Sequence, residues 1–199
     1  MGVRILKDLP QFGQNLQSRI SSAMPKIAAY LQSCANKKIN QGVSPANAPL
    51  TAVVKQGNKT LRDTGALAAS IAAHSGQTWA DASTNLKYAR IQQEGGTITG
   101  KGKGLWIPAG ARTRQLMRQY SATSPGQLIK AMRGAKWRMW RSGRAWMAQK
   151  GRQAPFVLFI IKDKVQIPAR PFLYIDRKEE SYIMRIVQEA VFLSLKEDN

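Results

Sequence analysis

Cys34 and His74 are the only cysteine and the only histidine in the chain. Any serine–histidine or cysteine–histidine nucleophile would therefore have to use His74. That residue sits beside a turn expected at 74–77, the ordinary place for a solvated side chain. One cysteine makes no intrachain disulfide and no cysteine-built zinc site. Two-metal chemistry needs several converging acids, and the carboxylates here are few and scattered. Glu179 and Glu180 suit the first turn of a helix, where the helix dipole favours negative charge. The run GKGKG at 100–104 lacks the GxxxxGK[ST] spacing of a phosphate loop and reads as a flexible turn. The expectation is a protein that is not an enzyme, with no catalytic residue, no cofactor and no metal.

What remains is charge. Thirty-one Lys and Arg against eleven Asp and Glu give a formal charge of +20, which calls for an anionic partner: nucleic acid, an acidic protein surface or a membrane face. The excess is concentrated. From Gly95 through Lys162 there is no Asp or Glu, while thirteen Lys or Arg and four of the five tryptophans lie between Lys101 and Arg152. Lys101, Lys103, Arg112, Arg114, Arg118, Arg133, Arg138, Arg141 and Arg144 are the candidates for contact with DNA or with an acidic partner. The competing reading packs Trp106, Trp137, Trp140 and Trp146 into the domain and leaves the cations as a solvated face. Nothing resembles a recognition helix, a stacking RNA-binding sheet or a zinc finger, so base-specific reading is not expected. No apolar run reaches the ~18 residues of a membrane span. The N-terminus lacks the h-region of a signal peptide. A reducing cytoplasm and no membrane are expected, with a membrane-surface role for a Trp/Arg helix at 136–150 as the least favoured alternative.

The positioning elements follow from periodicity. Apolar residues at three- and four-residue spacing from Ile5 to Ile39 predict a helix, with Pro25 producing a kink or dividing it in two. Loop follows over 42–60, with a helical turn at 50–55. A short helix capped by Thr64 or Asp63 comes next, with Gly65 allowing close backbone approach. Residues 68–84 read as strand with a turn, 85–96 as a short helix, and 101–110 as a glycine-flanked strand. Ser124 and Pro125 open one broken helix or two short ones reaching to 151. Residues 156–167 read as a hairpin and 177–195 as a helix. The class is α+β: a small antiparallel sheet packed against the N- and C-terminal helices. The chain is read as a single domain over 1–199, with a basic, Trp-containing insertion at 99–152.

Three stretches carry a resemblance: PLTAVVKQGNKTLRDTGALAASI (49–71), NLKYARIQQEGG (85–96) and IPARPFLYI (167–175). In this order they resemble the virion morphogenesis, or tail-completion, family of tailed bacteriophages. The resemblance covers about 45–98 and 155–199, and the basic segment between is poorly matched. The family's His-Gln appears here as Gln92-Gln93, with Glu94 at a usually aromatic position, so no role requiring a histidine carries over. The resemblance implies a virion protein of the head–tail junction, assembled in the host bacterial cytoplasm. It implies a neck or tail-terminator ring, commonly hexameric, around the DNA channel between portal-side and tail-tube proteins. Asp63, Thr64, Gly65, Tyr88, Arg170, Pro171 and Phe172 are its assembly candidates. In IPARPFLYI, Pro168 and Pro171 are expected to stop strand pairing. Arg170 is expected to be presented outward, and Phe172 to dock into the core. The alternative is a basic nucleic-acid-binding protein without catalytic activity, favoured by the charge alone.

Overall fold

The computed structural model describes residues 9–55, 58–100, 102 and 104–197. The first turn of the expected N-terminal helix, and Lys101 and Lys103, lie outside these residues.

Helix α1 (Leu9–Gln41) is long and uninterrupted through Pro25. Proline costs a helix one bond and crowds the preceding turn. Here Pro25 is exposed, while Ala23, Met24, Ile27, Ala28, Cys34, Ala35 and Ile39 on the opposite stripe are buried. Packing on that stripe holds the helix together where local preference would divide it. Short helices α2 (Pro49–Lys55) and α3 (Ala66–Ala69) follow. Strands β1 (Ala72–Ser75) and β2 (Ala80–Ser83) form a hairpin that lies against α1. The last helix, α7 (Arg177–Glu197), packs along α1. Ala35, Ile39, Leu67, Ile71 and Ala89 close around Phe172 to make the first core.

Helix α4 (Ala89–Glu94) leads into β3 (Gly96–Thr99), and β4 (Leu105–Pro108) follows. The strands β7 (Phe156–Lys162) and β8 (Lys164–Ile167) are not a hairpin, contrary to the expectation for 156–167. β8 pairs with β3, and β7 pairs with β4. Only Asp163 separates them, one residue fewer than the tightest common hairpin loop. The chain instead runs straight on from one pairing to the next. Thr99 lies opposite Lys164 and Leu105 opposite Lys162, and the Gly100 N–H donates to the Asp163 carbonyl at 2.8 Å.

The basic segment also differs from expectation. Helix α5 (Ala111–Gln119) was not anticipated. Its only large apolar residues are Leu116 and Met117 among three arginines, too few for a visible stripe. Helix α6 (Pro125–Gly134) begins as expected, with the Ser124 hydroxyl accepting from the Gln127 N–H. Residues 138–149, expected to continue as helix, are strands β5 (Arg138–Ser142) and β6 (Ala145–Gln149), joined at Gly143-Arg144. The tryptophans and methionines fit both periods. Glycine at the turn and β7 as an available partner decide for the sheet. The four-stranded sheet has the order β4-β7-β6-β5, all antiparallel. One of its faces joins α5 and α6 in a second core of Leu116, Leu128, Met132, Trp137, Leu158 and Phe159. Trp106, Trp137 and Trp146 thus pack, Trp140 joins neither core, and β7 belongs with the basic segment. The fold is α+β, with one four-stranded and two two-stranded antiparallel sheets rather than a single small one.

Candidate functional site

A cleft of about 660 Å³ opens beside the first core. Five of the seven assembly candidates line it: Asp63, Thr64, Gly65, Tyr88 and Arg170. They come from three separate stretches of sequence. Lys55 of α2 and the edge of β8 complete the wall. Asp63 does not cap α3. Its carboxylate receives two bonds from the Arg114 guanidinium, at 3.0 and 2.5 Å. Those bonds hold it below the usual carboxylate range against the opposing effect of burial. The N-cap is Gly65, in the left-handed region at φ 86°, with open space where a Cβ would point. Its glycine therefore serves conformation, not close approach. Burial lowers the pKa of Lys55, with nearby Asp63 opposing. Tyr88 is exposed at the start of α4.

The Pro168–Leu173 corner is held by side chains and backbone of α4 in place of a sheet ladder. The Arg170 N–H donates to the Gln92 carbonyl at 2.7 Å. The Gln93 amide oxygen accepts from the N–H groups of Phe172 and Leu173, at 2.8 and 2.9 Å. Its NH2 donates to the Leu173 carbonyl at 3.0 Å. Pro168 and Pro171 have no N–H to place. Gly95 ends α4 at φ 73°, and a Cβ there would lie 2.6 Å from the backbone nitrogen of Ala169. This corner therefore requires glycine. Gln93 is the residue holding this corner that sequence reading missed. It stands in NLKYARIQQEGG at the family's glutamine position, next to Gln92 in the place of the histidine, and the sequence assigns it no role.

Arg170 is not presented outward. It is 8% exposed, and its guanidinium donates to the carbonyls of Pro45 and Ala46 at 2.7 and 3.0 Å. Burial pushes its pKa down. A planar cation with a fixed donor fork is suited to gathering two carbonyls of a polar loop. Phe172 is fully buried beside it and Pro171 is exposed.

The basic candidates separate into groups. Arg114 is spent on Asp63 and on the Val54 carbonyl, bridging the two cores. Arg112 lies over the Phe156 ring at 4.1 Å and Arg138 over Trp140 at 5.5 Å. Arg118 and Arg133 are exposed on α5 and α6. Arg141 and Arg144 share a cleft of about 520 Å³ with Trp106 and Trp146. Arg144 meets Asp163 at 2.7 Å, both side chains largely exposed.

Against this geometry, residues 4–125 match the phage virion morphogenesis family. The chain belongs to that family. No curated protein and no solved structure gives a significant match. The match takes in α1, the Asp63–Gly65 turn, Tyr88, Gln93 and the first part of the basic segment. It therefore reaches further toward the N-terminus than the resemblance did, and it stops before IPARPFLYI. Membership makes this a bacteriophage protein of virion morphogenesis. Among the described residues, no cluster of His, Cys, Asp or Glu could hold a metal ion. No described helix is long and apolar enough to cross a membrane.

Proposed function

We propose that this virion morphogenesis protein is a structural, non-catalytic subunit of the phage head–tail junction, a tail-completion, terminator or neck protein. In this reading it closes into a homo-oligomeric ring, most simply a hexamer, around the DNA channel and joins head to tail. The observation that carries the proposal is an exposed apolar series at the end of the first core. Tyr174 and Ile175 before α7, then Met184 and Phe192 along it, are each at least half exposed. Such a series needs covering in a soluble assembly. The family match supports a virion setting, and in this reading assembly takes place in the host bacterial cytoplasm. The cleft offers a second contact for a neighbouring subunit or for portal-side and tail-tube proteins. Cations on α5 and α6 supply diffuse, non-specific attraction to genomic DNA in the lumen, because phosphate contacts position without reading sequence.

Micrographs of particles made without this protein test the proposal. Unjoined heads and tails, or overlong tails, are the expected result. Normal, filled virions would overturn it. The charge of +20 favours one rival reading, a free-standing nucleic-acid-binding protein. That protein would be monomeric, with tight and salt-sensitive DNA binding, whereas the ring subunit grips DNA weakly.

A further inference from the structure

The second core covers one face of the four-stranded sheet. Helices α5 and α6 lie over the face bearing Trp106, Trp146 and Phe159. Strand register places a different set on the other face. Ile107 pairs with Ile160, and Val157 pairs with Met147, which pairs with Trp140. None of these five belongs to either core. None is buried, and Val157 is 38% exposed. An antiparallel sheet with one wet face ordinarily alternates apolar-in with polar-out. Here the outward positions at the centre are apolar as well, which is the pattern of a sheet covered on both sides.

The rim around them is cationic. Arg138 stands on the same face two residues from Trp140, with its guanidinium over that ring. Lys162 lies opposite Leu105 at the far edge. Arg144 and Lys164 share a shallow depression with Ile160. The one acid there, Asp163, is already paired with Arg144.

We propose that this face docks an acidic, amphipathic segment of a different virion protein. Its apolar side chains would seat on the Ile107–Ile160–Val157–Met147–Trp140 surface, and its carboxylates would meet Arg138, Lys162 and Lys164. The inference rests on the chain being a virion morphogenesis protein and holds whatever its position along the tail axis. Two other occupants fit the surface less well. A second copy of the same face would set cation against cation around the apolar centre. A nucleic-acid backbone would meet the cations but leave the aliphatic centre uncovered, since stacking of bases needs several exposed aromatic rings and Trp140 is the one this face offers.

A diazirine-bearing residue at Val157, introduced into the full chain during infection and photolysed in finished particles, tests the proposal. The cross-linked peptide is then sequenced. A peptide from another virion protein, richer in Asp and Glu than in Lys and Arg and with apolar residues on one face, is expected. Cross-links to another copy of this chain, to DNA, to a segment without acidic excess, or to no macromolecule would each overturn it. In infected-cell extracts, where incorporation is not required, Arg138→Glu combined with Lys162→Glu should lower the cross-linked fraction at least tenfold. Both residues are exposed, so the melting temperature should not move. An unchanged fraction would also overturn the proposal. These results report on the sheet face alone, so its failure is distinguishable from failure of the ring.

Discussion

Replacing Arg170 by alanine tests the account of the corner beside the cleft. The side chain donates two bonds to the carbonyls of Pro45 and Ala46 from a site 8% exposed. Hydrogen bonds from an ionised donor contribute about 1.5–3 kcal/mol each. Two terms offset the loss. The carbonyls belong to residues that are exposed and can rehydrate, and alanine removes the cost of desolvating a guanidinium. The net destabilisation is about 2 kcal/mol. For a chain of this size each kcal/mol corresponds to about 2–4 °C, so Tm should fall by about 4–8 °C. Phe172→Ala should cost more, about 3–5 kcal/mol, because it opens a cavity in the first core. Arg170→Lys should fall between wild type and Arg170→Ala, since a point charge cannot span both carbonyls. Calorimetry on the purified full chain measures all three, and hydrogen exchange at 43–48 should quicken in Arg170→Ala. A Tm within about 1 °C of wild type, with that loop's protection unchanged, would refute the reasoning. If that variant also failed to enter virions, Arg170 would be a surface contact after all.

Three further predictions rest on geometry and charge elsewhere in the fold. Lys38 and Glu179 meet at 2.6 Å, both mostly buried, where α1 meets the start of α7. Burial alone would push Glu179 up, but Lys38 and the Asp176 N–H hold it below its usual 4.5. A depressed carboxylate stabilises the fold above its unfolded pKa, and that stability is lost as pH falls through the folded value. Stability should therefore drop below about pH 4.5, and Glu179→Gln should flatten that part of a Tm-against-pH curve. Asp63→Ala and Arg114→Ala should each destabilise by about 1 kcal/mol or less, as the pair is partly exposed, and a double-mutant cycle should show coupling between them. Gly95→Ala should cost at least about 2 kcal/mol in denaturant unfolding, combining left-handed strain with the clash against Ala169.

Part of the first core and one helix of the second could be read from the sequence because their signals are local. The stripe of α1, the Ser124-Pro125 start of α6 and the burial of Phe172 needed only spacing and residue type. The errors arose where a partner distant in sequence decides. Residues 138–149 carry apolar residues at both helical and strand spacing, and β7 settles the choice by pairing with β6. Phe156–Ile167 contains two strand-like halves, but their partners lie some sixty residues earlier, at β4 and β3. Arg170 sits between two prolines, which made an outward-facing residue the natural reading. Its burial depends on a loop more than a hundred residues away. The cleft residues were recognisable from family motifs. The bare sheet face was not, because register decides which side each residue takes.

The central claim is that this protein forms a ring at the head–tail junction. Reconstruction of the assembled virion along its portal–tail axis tests it most directly. A closed ring of copies encircling the channel, six in the simplest case, is the expected result. One or two copies lying off that axis would contradict the claim.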